Sequence, residues 1–229
     1  MWQELRTELH PDGLEVVTVA LDTGGADAAG LWIDLAKPDH PALIDEAHLL
    51  DELLGVVNVP SGVWIDERGT IVRPPEPAFP GRAVIAELPI PAEAPPRITE
   101  MLQEAAKMRI EPQRYVAALR DWVNKGSESR YALGPDEVVA RSTPRPADTS
   151  RAAASFELGQ HLHRSGNPDA AVRWFREAHA LQPANWTYKR QAWEFVDPIL
   201  QGPSDEYEGD WLSDVRNAGP ENYYPPVDL

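Results

Sequence analysis

The stretch "NVPSGVWIDERGTIVR", Asn58 to Arg73, sets a proline directly ahead of a strand-like run. Proline fixes φ and removes a ladder donor, so in sheets it is confined to edges, strand starts and bulges. The fold must therefore shape the chain around Pro60. Behind it, "GVWIDERGTIVR" reads as a β-hairpin: two short apolar runs joined by Asp66-Glu67-Arg68-Gly69, with Gly69 supplying the positive φ of the turn.

Upstream, "LEVVTVALD" (Leu14 to Asp22) is nearly continuously apolar and β-branched. That pattern predicts a strand buried on both faces, with helices above and below the sheet. A helix through Leu31, Trp32 and Leu35 ends before Pro38. "HPALID" reads as a short strand, and "EAHLLDELLG" as a helix with Leu49, Leu50, Leu53 and Leu54 on one stripe and Gly55 at its end. Eight prolines between Pro74 and Pro96 predict an extended, irregular connector, and the main domain boundary is placed at 74–97. From 98 to 200 the chain reads helical. Ile98, Met101, Leu102, Ala105 and Met108 recur at helical spacing, as do Tyr115, Val116, Leu119, Trp122 and Val123. The acidic tail, 201–229, carries Tyr207, Trp211, Tyr223 and Tyr224, so it is expected to pack on the body.

The net charge of −16 argues against nucleic acid, because phosphate binding rests on clustered Lys and Arg. No run approaches the roughly 18 to 20 apolar residues of a membrane helix. "MWQELRTELH" lacks the basic and apolar regions of a signal peptide, so a cytoplasmic location is the default expectation.

The segment "HPALIDEAHLLDELLGVVNVPSGVWIDERGTIVR" resembles the redoxin branch of the thioredoxin-like family, which includes TlpA/ResA-like thiol oxidoreductases and AhpC/TSA peroxiredoxins. The matching residues are Pro41, Leu43, Asp45, Gly55, Val59-Pro60, Ile65-Asp66, Gly69 and Ile71. The resemblance covers roughly residues 2 to 73. It implies an α/β fold, a cis Val59-Pro60 bond, and a peptide-contacting loop at Val59 and Pro60. Only about 5–6% of X-Pro bonds in folded proteins are cis.

Two departures qualify what the resemblance implies. The family's reactive cysteine opens the first helix, whereas this chain has no Cys, so it is expected to lack disulfide and peroxide activity. The family also has a strand before that helix, lying between the strand matching Leu14 to Asp22 and the hairpin. Here the sequence starts within that helix, so a thioredoxin-like domain in 1–73 would be partial, its central strand missing. Orphaned backbone groups on two inner edges would each cost about 1–3 kcal/mol. A strand encoded ahead of Met1, flanking strands that close ranks, or a partner's donated strand would each satisfy them; the first is the expectation. A thiol–disulfide oxidoreductase or peroxiredoxin-like enzyme with its cysteines ahead of Met1 is the enzyme alternative.

"RAAASFELGQHLHRSGNPDAAVRWFREAHALQP" (151–183) looks like one tetratricopeptide repeat, a helix–turn–helix unit of about 34 residues. Leu158, Gly159, Leu162, Ala171, Phe175, Ala178 and Pro183 fall at its packing positions, and Ser155 stands where Trp is usual. No second copy follows, only a capping-like helix from Trp186 towards Val196. Intramolecular packing of this unit is therefore favoured over a scaffold role. A protein or peptide partner is the expected partner class, and a homo-oligomer stays open.

No cofactor or metal is expected. His161 and His163 lie about 200° apart on a helix and cannot share an ion. His40 and His48 read as surface residues, and Asp45, Glu46, Asp51 and Glu52 as a solvated helix face in a chain with 37 acidic residues. "TGGADAAG" lacks the pattern of a phosphate loop.

Overall fold

The structure, a computed structural model, describes residues 1–81, 93–142 and 144–229. Among them, ten α-helices and two two-stranded sheets give a mixed α/β fold. Helix α1 (Trp2–Leu9) precedes strand β1 (Thr18–Leu21), helix α2 (Ala26–Ala36), strand β2 (Ala42–Asp45) and helix α3 (Leu49–Leu54). Strands β3 (Ser61–Ile65) and β4 (Ile71–Pro77) follow. β1 and β2 pair in parallel, Thr18 opposite Ala42 and Leu21 opposite Asp45. β3 and β4 form an antiparallel hairpin, whose turn is closed by Gly69 at φ +78° and by Asp66 Oδ1 accepting from the N–H groups of Arg68 and Thr70. Among the described residues no pairing joins the two sheets.

The predicted strand at Leu14 to Asp22 shortens to Thr18–Leu21 and is half-buried rather than buried on both faces, because one edge opens into a cavity. Strand β4 runs on through Pro74, Pro75 and Pro77, so the extended connector begins later than the prolines suggest. An outer strand tolerates prolines that an inner one would not. Residues 82–92 of the connector lie outside the described residues.

Helices α4 (Pro96–Lys107) and α5 (Pro112–Lys125) occupy the two helical stretches read from spacing. Packing runs across the connector: Leu5 and Leu9 of α1, Trp64, Val72 and Ala78 of the hairpin region, and Tyr115, Ala118 and Leu119 of α5 share one core. Trp64 Nε1 donates to the Tyr115 hydroxyl at 3.0 Å and its ring stacks on Trp122. After α6 (Pro135–Arg141), the second core is built on the antiparallel pair α7 (Ala147–Arg164) and α8 (Pro168–Leu181), with α9 (Trp186–Glu194) and the tail helix α10 (Trp211–Ala218).

In the α7–α8 pair, Ala171, Phe175 and Ala178 are fully buried. Gly159 lets the helices close: a Cβ there would stand 3.2 Å from three Phe175 ring atoms. Leu162 is half-buried and Pro183 exposed. Leu158 departs from its expected packing role. It is 37% exposed, and the inward positions belong to Ser155, Phe156, Gly159 and Gln160. The tail packs on the body, with Tyr207, Trp211, Tyr223 and Tyr224 all buried. Arg73, buried beneath it, donates to the Asp228 carbonyl and pairs with Glu76.

Candidate functional site

A cavity of about 710 Å³ lies between β1 and the Val59 loop, walled by α1, α2 and α9. In β1, the N–H groups of Thr18 and Asp22 donate to Pro41 and Asp45 of the neighbouring segment, so by two-residue alternation Val19 and Leu21 direct their backbone groups the other way. That edge meets no second strand among the described residues. Farther along it, the Thr23 N–H is taken by Gln191 Oε1 at 2.8 Å.

Across the cavity, the expected contact loop is already engaged. The Val59-Pro60 bond is cis. The Val59 N–H donates to Asn58 Oδ1 and the Val59 carbonyl accepts from the Tyr224 hydroxyl, each at 2.9 Å. Pro60, exposed, accepts from the Ala78 N–H. Val59 lines the cavity, whereas the packing residues of α7 and α8 do not.

The cavity's polar end was not foreseen. His48 and Asp51, expected at the surface, are both buried. His48 Nδ1 lies 3.0 Å from Asp51 Oδ2 and Nε2 lies 3.0 Å from Gln191 Oε1. Gln160 Nε2 completes the chain by donating to Thr23 Oγ1 at 2.8 Å. The surface reading of α3 fails because its short turn rotates Asp51 inward, leaving Leu49, Leu50 and Leu53 facing out, Leu53 at 76% exposure. His40 is buried too, beside Thr18 and Gln3. His161 stays exposed, and His163 stacks on Phe195.

Because the Thr23 N–H fixes the Gln191 oxygen towards it, His48 Nε2 must donate to that same oxygen. With Nδ1 facing a carboxylate, the ring keeps both protons. Burial works against that charge, but the Asp51 carboxylate and the Gln191 amide outweigh it and hold the ring above its ordinary range. Asp22, whose Oδ1 accepts from the Gly24 N–H at 2.8 Å, is raised by burial. Glu194 is raised to about 7, first by burial and then by the charge of Asp22, with Arg190 and His48 opposing.

No protein-family model, curated protein or solved structure matches this chain.

Sequence offered one missed signal: Gln191 and Glu194 stand three apart on α9 and share a face, as do His48 and Asp51 across the start of α3. Among the described residues no group of three or more His, Asp or Glu is placed to hold a metal ion. No helix there is long and apolar enough to cross a membrane. The cavity offers an unpaired strand edge, apolar walls and one charged end, which suits holding a ligand.

Glu194 also sets a pH dependence. Its folded-state value lies above the unfolded 4.5, so between those values the folded chain binds more protons and stability falls as pH rises towards 7. Glu194→Gln is expected to flatten that fall, gaining about 1 kcal/mol over the parent at pH 8 after allowance for solvent screening, and nothing at pH 4. Urea midpoints at the two pH values check it; equal shifts at both would refute the assignment.

Proposed function

We propose that this chain is a redoxin-lineage, thioredoxin-like binding module without thiol chemistry, which receives an extended polypeptide segment as an added strand beside β1. The observation that carries the reading is the Val19–Leu21 edge, unpaired among the described residues, lining a cavity of about 710 Å³. Each extended residue adds about 3.3 Å along a strand, and main-chain hydrogen bonds to an open edge are a general mode of peptide capture. The order helix, strand, helix, strand, helix and hairpin supports the lineage. A strand added beside β1 would lie on the side of β1 away from β2, facing the Val59 loop that precedes the hairpin. Since Val59's N–H and C=O are both engaged, the loop serves as a wall of the slot while β1 supplies the ladder.

Catalysis by thiol exchange would need cysteine, which the chain lacks. A tetratricopeptide-type scaffold has less support, because α7 and α8 commit their apolar faces to α9 and the tail.

Hydrogen exchange with the peptide acetyl-Thr-Val-Thr-Val-Thr-amide at millimolar concentration tests the reading. The Val19 and Leu21 amides are expected to slow at least about fivefold, and a peptide N-methylated at both valines to leave them unchanged. Equal behaviour with the two peptides would overturn strand addition.

A further inference from the structure

The polar end of the slot holds two carboxyl groups that make no direct ion pair among the described residues, with Arg190 and His48 acting on Glu194 from farther off. Asp22 and Glu194 both line the cavity, and neither has a Lys, Arg or His within ion-pair distance among the described residues. His48 beside them is already matched by Asp51. Arg190, one turn before Glu194, donates its Nε to Gln201 at 3.1 Å.

A second, independent feature marks the same end. Gln191 lines the cavity and is only 3% exposed, yet its Nε2 has no hydrogen-bond partner among the described residues. Its oxygen is fixed by the Thr23 N–H and by His48, so the amide cannot be turned to relieve that donor without breaking both bonds. A buried donor left unmade costs free energy, so such an atom calls for an acceptor that the protein does not provide. A peptide carbonyl is such an acceptor.

We propose that this end is a subsite for a lysine or arginine side chain of the added strand, its cation taken by Glu194 and Asp22 and a neighbouring backbone carbonyl accepting from Gln191 Nε2. The assignment rests on the strand-addition reading and goes beyond it by naming the residue class at one end of the occupant. The chain's net charge of −16 favours a basic partner at long range as well. Metal capture is a poorer fit, since no group of three or more ligating side chains converges among the described residues.

The charge of Glu194 makes the preference pH-dependent. Burial and Asp22 raise its pKa, whereas Arg190, His48 and an incoming cation lower it. Above pH 7 the Glu194 carboxylate is ionised and attracts the cation; below, it is protonated and the attraction weakens.

Four peptides read this out by titration calorimetry at pH 8 and pH 6: acetyl-Lys-Val-Thr-Val-Thr-amide, acetyl-Thr-Val-Thr-Val-Lys-amide, and the same two with norleucine for lysine. One of the lysine peptides, whichever direction the strand runs, is expected to bind about tenfold more tightly than its norleucine twin at pH 8, with the ratio shrinking at pH 6. Glu194→Gln is expected to bring the pH 8 ratio close to one. If all four peptides slow exchange at Val19 and Leu21 but lysine and norleucine bind equally, the subsite falls and strand addition stands. If none slows exchange, both fall.

Discussion

Replacing Phe175 with alanine is expected to cost about 3–5 kcal/mol of folding stability, the range for deleting a fully buried aromatic ring. The ring is fully buried and meets Phe156, Phe195 and Tyr207 at centroid distances of 5.6, 5.6 and 5.7 Å. It also closes α8 onto Gly159 of α7, so its loss opens a void that rigid helix backbones cannot fill. Three elements lose contacts at once: the α7–α8 pair, the chain after α9, and the tail through Tyr207. Phe175→Leu, which keeps much of the volume, should recover more than half of the loss. Urea unfolding followed by fluorescence measures both; a loss below about 1 kcal/mol for the alanine variant would show that the site collapses freely.

Asp51→Ala is expected to have a comparable effect, about 3–5 kcal/mol at pH 5.5, for a different reason. It strips the counter-charge from a buried imidazolium. In the parent, the folded value of His48 lies above the unfolded 6.5. Its stabilisation is therefore fully present below pH 6.5 and lost as pH rises through the folded value. Without Asp51, burial dominates and pushes the ring down, so the variant loses stability as pH falls through 6.5. The gap between parent and variant should thus be widest near pH 5.5 and narrow by pH 8.5. A gap of constant size would mean that the ring is not charged in the parent. The double variant His48→Phe/Asp51→Leu removes both charges and should regain much of the loss, since an apolar replacement leaves no uncompensated ion. Denaturant midpoints at both pH values distinguish these outcomes.

Much of the architecture could be read locally. Spacing located α4 and α5, the small and aromatic packing positions at Gly159, Ala171, Phe175 and Ala178 marked α7 and α8, and Gly69 with the apolar runs beside it marked the hairpin. Each of those signals is carried by residues near one another in the chain. The candidate site has no such signal. His48 meets Gln191 across 143 positions, and Gln160 meets Thr23 across 137. In a helix as short as α3, four leucines and Asp51 compete for the inward face, and periodicity cannot say that a carboxylate wins until His48 and Gln191 are seen on the other side. The outward Trp32, 66% exposed, misleads in the same way: an apolar face predicts contact, but not with what. Prolines misled in the opposite direction, since Pro74 and Pro75 sit in an outer strand whose other edge already serves the hairpin.

The core around Trp64 gathers Leu5 and Leu119 and packs against Leu229, so pieces from far-apart positions must meet before any of them is shielded. The hairpin's indole is covered by Tyr115 and Trp122, more than fifty positions further along the chain. Burying that ring therefore waits on a long loop closure, which slows folding relative to a core built from neighbours in sequence.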